Sequence, residues 1–359
     1  MNRPTRHVLP ALFAALFASA LCAAQAVRYD GHRVVRVEVR DAADAALMET
    51  ISPDMWSHHA GPGPVDYRVS PEGLAALDAS GLAYVTLIPD VQARIDQERE
   101  AVALAGERGF GFFDAYRTYA EFDAWANALA AAHPGLVSRF DAGLSLQGRS
   151  IFGVRLRPAG APADRPSVLF NGCQHAREWI SPMTVAFIAD SFASGYGVDP
   201  RITAILDELD VDFIPIVNPD GYVHSWTSER LWRKNRRPNP GGSFGVDINR
   251  NWGYEWGGPG SSGTPSNDTY RGPAPFSEPE TQVLSQYIAS QTGLRAHIDF
   301  HSYSQLVLAP WGWTTAPAPD APALNGLADA MADAIFGVHQ EVYVAGPIST
   351  TPYLAVLTP

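Results

Sequence analysis

Three side chains stand out for the chemistry they could do together. His175 and Glu178 sit three positions apart in the run Asn171-Gly172-Cys173-Gln174-His175-Ala176-Arg177-Glu178-Trp179. An imidazole and a carboxylate at that spacing can grip one zinc ion if a third ligand arrives from elsewhere. His301, far along the chain, is the natural third. Two near ligands and one distant histidine leave a fourth coordination position open, which is the pattern of a catalytic zinc. Neutral imidazoles and a carboxylate also suit that metal. Taken singly, His-x-x-Glu is a common accident, and a strand-end histidine is more often a hydrogen-bonded structural residue.

The surrounding elements are those that could hold such a site. Val168-Leu169-Phe170 reads as a strand leading into the turn. Ser181 as N-cap and Pro182 at the first helical position lead out of it. A further strand over residues 296–300 sets His301 at its end. Ligands gather outside the carboxyl ends of strands in open α/β sheets. Strands are also expected over residues 150–157, 167–170 and 211–217, the last ending in the turn Asn218-Pro219-Asp220-Gly221. Helices are expected over residues 182–192, 201–209, 278–291 and 324–336. Thr118 with Glu121, and Ser277 with Glu280, read as capping boxes. Phe122, Trp125 and Leu129 follow the first box at helical spacing and read as core. The alternation predicts an α/β fold: a mixed, mostly parallel sheet with helices on both faces.

A smaller unit precedes this one. Strands are expected over residues 35–39, 65–69 and 82–88, and helices over 41–51, 71–79 and 91–104. That is an αβ domain of about eighty residues. Its His58-His59 pair reads as a solvated loop, since no ligand partner stands at a zinc spacing. Residues 106–111 read as a linker. Arg108, flanked by glycines, is an exposed target there for a trypsin-like protease.

Composition bounds the rest. The chain of 359 residues is 46% hydrophobic and 18% charged, which fits globular protein. A net charge of -12 argues against nucleic-acid binding. Arg3, Arg6 and His7 precede an apolar stretch that ends in Ala24-Gln25-Ala26. Residues 1–26 therefore read as a secretory signal peptide, with no membrane association after its removal. Cys22 leaves with it, and the remaining Cys173 can form no internal disulfide. It reads as a small buried residue rather than a nucleophile.

Arg230-Leu231-Trp232-Arg233-Lys234-Asn235-Arg236-Arg237 holds five basic residues in eight and reads as a local anion site. Asn249 and Arg250 set an amide beside a guanidinium, the fork that takes a carboxylate. A metal with several arginines points to a substrate bearing both a polarised carbonyl and a carboxylate. The C-terminal end of a peptide carries both.

At this point a family resemblance emerges. His175-Ala176-Arg177-Glu178-Trp179-Ile180, Asn218-Pro219-Asp220-Gly221, Arg230-Leu231-Trp232-Arg233-Lys234, Asn249-Arg250-Asn251-Trp252 and His301-Ser302-Tyr303-Ser304-Gln305 are similar, in order, to the motifs of zinc carboxypeptidases of the pancreatic A/B type. The first unit resembles their inhibitory prodomain. The resemblance implies a signal peptide over residues 1–26, a prodomain over 27–108 and a catalytic domain over 109–359. It implies one zinc ion per chain on His175, Glu178 and His301, with Arg233 stabilising the oxyanion. Asn249 and Arg250 would hold the terminal carboxylate, with Arg177 outside them, and Asp247 is given no catalytic role. Ser302, Tyr303, Leu308 and Gly312 would line the substrate site and lean to apolar or aromatic terminal side chains. Tyr353 would be the tyrosine that closes over substrate. The partners implied are peptides with a free C-terminus and an activating trypsin-like protease cutting at Arg108. The expected product is a secreted zymogen, extracellular or periplasmic. The family also carries a general-base glutamate on a further strand. No acid after His301 matches it, so the last strand and helix are expected to be missing. The alternative reading is a zinc- and peptide-binding protein without turnover.

Overall fold

The computed structural model describes residues 26–57, 62–107, 109 and 111–351. The signal segment up to residue 25, His58-His59, Arg108, Tyr353 and the tail after it lie outside the described residues.

The first unit alternates strand and helix: β1 (Arg33–Val39), α1 (Ala42–Ile51), β2 (Gly63–Val69), α2 (Pro71–Ser80), β3 (Tyr84–Ile88) and α3 (Val91–Glu107). Its sheet runs β2-β1-β3, antiparallel throughout. Alternation along β1 buries Val35, Val37 and Val39 with Met48, Val65, Val69 and Leu77 in a core of their own. Asp41 caps α1 by accepting from the amides of Ala43 and Asp44. Helix α3 continues through Gly106 and Glu107, so the linker is shorter than expected. About four glycine-free turns of helix before Gly106 carry it across a residue that only weakens helix.

The second unit follows with α4 (Tyr119–Ala132), β4 (Val137–Leu144), β5 (Ser150–Leu156), β6 (Ser167–Gly172), α5 (Ile180–Gly195), α6 (Pro200–Glu208), β7 (Asp210–Ile214) and α7 (Pro219–Thr227). Then come α8 (Pro279–Ser290), β8 (Leu294–Phe300), β9 (Leu306–Ala309), α9 (Ala321–His339) and β10 (Val344–Pro347). The central sheet has the order β4-β5-β7-β6-β8. It is antiparallel on the β4-β5-β7 side and parallel across β7-β6-β8. β9 and β10 pair with each other in parallel. One sheet face packs Phe152, Val154 and Phe213 against α4 and α5, and the other packs Ile151, Leu169 and Ile214 against Leu284 of α8.

Thr118 and Glu121 form their capping box on α4. Three other local expectations change. Asn218-Pro219-Asp220-Gly221 opens α7 rather than forming only the turn after the strand: Asn218 is its N-cap and accepts from the Gly221 amide. Ser277 makes no cap on α8; its hydroxyl bonds Glu278, while Glu280 reaches back across the sequence to the Leu146 amide. Ser181 lies inside α5 and caps nothing. Its hydroxyl accepts from the Cys173 amide at 2.8 Å and donates to the Phe300 carbonyl at 2.7 Å. One side chain thus joins α5 to the ends of β6 and β8, the two strands that lead to His175 and His301.

Candidate active site

His175 stands two residues beyond the turn that leaves β6. Cys173 takes a left-handed backbone there, with φ at 58°. Its thiol is fully buried, and burial pushes it well above its ordinary value, so it does not act as a nucleophile. The turn projects His175 and Glu178 into the same space, and β8 delivers His301 from the neighbouring strand.

The three ligand atoms all lie within 4.8 Å of one another. His175 Nδ1 is 3.1 Å from His301 Nδ1, Glu178 Oε1 is 2.7 Å from His175 Nδ1, and Glu178 Oε2 is 3.0 Å from His301 Nδ1. A tetrahedral zinc with ligands at about 2.0–2.1 Å would set their atoms about 3.3 Å apart. The two imidazole nitrogens, 3.1 Å apart, are close to that, and Glu178 turns one oxygen to each of them. The far nitrogen of each ring is pinned by a carboxylate: His175 Nε2 by Asp247 at 3.2 Å, and His301 Nε2 by Asp299 at 2.7 Å. That pinning turns both Nδ1 atoms toward one point. Asp299 is in turn held by Asn171 and Gln174.

The electrostatics fit a cation. Burial opposes charge on both Glu178 and His301. Yet the two imidazoles hold the Glu178 carboxyl well below the usual carboxylate range. Asp299 and Glu178 outweigh burial at His301 and lift its imidazole to about 10. Carboxylates that force a proton onto a buried imidazole mark a place where a metal ion fits.

Glu178 and Arg233 line a cavity of about 170 Å³ with Arg177, Arg230, Leu231, Ser302, Tyr303 and one residue of the first unit, Trp56. The Ser302 amide donates to Glu178 Oε2 at 3.1 Å. Arg233 donates twice to Asp247 Oδ2, from Nε at 3.2 Å and Nη2 at 2.8 Å. The basic run is not a single anion site. Arg230 pairs with Glu98 of α3, Lys234 donates to the carbonyls of Pro265 and Asn267, Arg236 covers the Trp232 ring, and Arg237 pairs with Glu278. Only Arg230 and Arg233 of its basic residues reach the cavity, because on a winding segment each side chain meets a different neighbour.

A profile described as zinc carboxypeptidase matches residues 122–356, and one described as carboxypeptidase activation peptide matches residues 35–98. Carboxypeptidase A2 of Rattus norvegicus is 38% identical over 327 residues, covering 89% of this chain and 78% of that protein. The chain belongs to the zinc carboxypeptidase family. A metallocarboxypeptidase A-like protein of Trichophyton verrucosum is 35% identical over 364 residues, covering 96% of this chain and 86% of that one. The crystal structure of carboxypeptidase A from Helicoverpa armigera shares the fold at a TM-score of 0.78 and 29% identity, over 89% of this chain and 82% of that chain. The protein is therefore a metallocarboxypeptidase with an activation peptide, and zinc is its family's cofactor.

The first unit corresponds to that activation peptide and covers the cavity. Its Asp54 accepts from Arg177 Nη1 at 3.2 Å, its Asp66 accepts from the Tyr303 hydroxyl at 2.9 Å, and its Trp56 ring lies edge-on to Tyr303 at 6.2 Å. Asn249, Arg250, Leu308 and Gly312 do not line this cavity. Arg250 donates to the carbonyls of Gly260 and Asn249. Leu308 pairs with Gly346 across β9 and β10, and Gly312 faces Ile348. Sequence reasoning missed Asp247, Asp299, Asp54 and Trp56. Asp299 carried a signal, since a residue two before His301 on a strand shares its face. Asp247 carried none, because its partners come from other loops.

Proposed function

We propose that this chain is a secreted zymogen that removes C-terminal residues from peptides once its prodomain, residues 27–108, is cut from the catalytic unit, residues 109–359. The carrying observation is the convergence of His175, Glu178 and His301 at the side of a cavity that Glu178, Arg233 and the prodomain's Trp56 line together. In this reading those three residues bind zinc, which when bound polarises a carbonyl and acidifies water. Asp247 holds His175 and Arg233 together, so the guanidinium keeps donors free for the oxygen of a scissile carbonyl. Asn249 and Arg250 take the terminal carboxylate, and Tyr353 closes over it. Arg177, Ser302 and Tyr303 bind the upstream residues. Leu308 and Gly312, with Ile348 beside the latter, favour an apolar or aromatic terminal side chain.

A trypsin-like protease acting at Arg108 supplies the activating cut. Export would proceed through residues 1–26. Among the described residues no helix is long and apolar enough to cross a membrane. The test is release of a C-terminal residue after trypsin treatment, abolished by phenanthroline and by Glu178→Ala. No release from the trypsin-treated, zinc-loaded protein rejects the reading.

A second reading, zinc and peptide binding without turnover, is favoured by one observation. Among the described residues lining the cavity, Glu178 is the only carboxylate, and it faces the metal position. A separate general base typically contributes about 10²–10⁴-fold. Multiple turnover by the 359-residue chain excludes this second reading.

A further inference from the structure

Three prodomain carboxylates, Asp54, Asp66 and Glu98, bond the catalytic unit, beside an apolar contact at Leu231 and a bond from Tyr29 to Glu229. Residues 54–56 lie extended along β2: the Trp56 amide donates to the Asp66 carbonyl at 2.8 Å, and the Arg68 amide to the Asp54 carbonyl at 3.0 Å. An extended chain alternates its side chains. Met55 therefore packs into the prodomain's own core, while Asp54 and Trp56 both face the cleft. Asp54 takes Arg177, whose guanidinium also lies over the Trp56 ring at 5.4 Å. From α3, Glu98 takes Arg230 with both oxygens, at 2.5 and 3.0 Å.

Arg177 and Arg230 are both nearly buried in this arrangement, at 10% side-chain exposure. When the prodomain leaves, Arg177 loses Asp54 and Arg230 loses Glu98. Arg177 keeps the more distant Asp268 carboxylate at 3.7 Å and the Leu231 carbonyl at 3.4 Å, and Arg230 keeps the Arg177 carbonyl and its place over the Trp179 ring. Arg233 is already matched by Asp247. The opened cleft thus gains two cations that have each lost a prodomain carboxylate and a tyrosine ring that has lost its aromatic neighbour. Opposite charge across such a surface decides which partners bind.

We propose that the freed catalytic unit selects acidic peptides: chains with a carboxylate side chain upstream of their C-terminal residue, best when an aromatic residue follows the acid by two positions. The prodomain segment Asp54-Met55-Trp56 is a copy of that preferred sequence. This inference rests on the carboxypeptidase reading above and adds the substrate class.

The test measures binding and turnover separately, on the zinc-loaded full chain cut at its linker. Labelled peptides ending in the same phenylalanine carry Asp-Met-Trp, Asn-Met-Trp or Lys-Met-Trp upstream. At low salt the Asp peptide should bind about tenfold more tightly than the Asn peptide, and tighter still than the Lys peptide. The gap should narrow near about 0.5 M salt. Arg177→Gln with Arg230→Gln should erase it, while Arg177→Lys keeps part of it. Equal affinity for the three peptides, or a gap that survives the double substitution, overturns the proposal. If the double variant does not fold, the three peptides on the unaltered protein decide. Selective binding without release of phenylalanine rejects the carboxypeptidase reading alone; release with no Asp-over-Lys preference rejects the acidic selection alone.

Discussion

At the scale of single residues, two carboxylates outside the ligand set do the orienting. Asp299→Asn leaves all three ligands in place but weakens the grip on the far nitrogen of His301. Zinc affinity should fall about 10–100-fold, read by competition with a chromogenic chelator. Asp247→Asn should do the same at His175 and also loosen Arg233, so kcat should drop more than affinity alone explains. An Asp299→Asn protein that holds zinc as tightly as the parent excludes the orienting role. A different residue sets acid sensitivity. Burial, with Arg236 nearby, lowers the His224 imidazole to about 4. The unfolded chain takes that proton below about 6.5 and the folded chain does not until about 4. Stability present above pH 6.5 is therefore lost as pH falls toward 4, by about 3 kcal/mol at most. Urea midpoints measured across that range should fall less steeply in His224→Gln. The cluster of His175, Glu178 and His301 was legible in sequence because such types and spacing are rare together. Asp247 was not, since nothing near it in the chain marks a residue whose partners lie on three other segments.

At the scale of elements, the β6 turn, α5 and the end of β8 act as one part through Ser181. Ser181→Ala would leave the Cys173 amide and the Phe300 carbonyl without a partner. Each buried group so orphaned costs about 1–3 kcal/mol. The expected result is a lower urea midpoint together with weaker zinc binding, because both strand ends move. A loss of stability with unchanged zinc affinity would show that the turn holds without the hydroxyl. The sequence pattern placed most strands and helices within a few residues, since alternation and caps are local. It misread Ser181, Ser277 and Asn218 in different ways for one reason. A short polar side chain beside a helix start can cap it or bond elsewhere, and tertiary neighbours choose. β4 went unread because Val137-Ser138-Arg139-Phe140, two polar residues between two apolar ones, breaks the alternation.

At the scale of the whole molecule, two units with separate cores meet over one cleft. A ligand bound only by the folded state adds stability by mass action, about 2.7 kcal/mol at a hundredfold excess over its Kd. Adding zinc to chelator-treated protein should therefore raise Tm in a concentration-dependent way. Glu178→Ala should show no such rise, and a Tm indifferent to zinc in the parent would contradict the metal site. The fold class and the order of the two units were open to sequence reasoning, whereas the prodomain's hold on the cleft was not. That hold joins Asp54, Asp66 and Glu98 to residues far beyond them, and no local pattern reports it. The distant third ligand has one more consequence. His175 and His301 are 126 positions apart, and the only described cysteine is buried and unpaired. A cation shared by those two histidines would act as a cross-link closing that long loop. In the chain-entropy picture a covalent bridge over about 100 residues is worth about 4.7 kcal/mol. With no disulfide among the described residues, the catalytic ion would also be their staple, and losing the ion would loosen the sheet from its β8 edge inward.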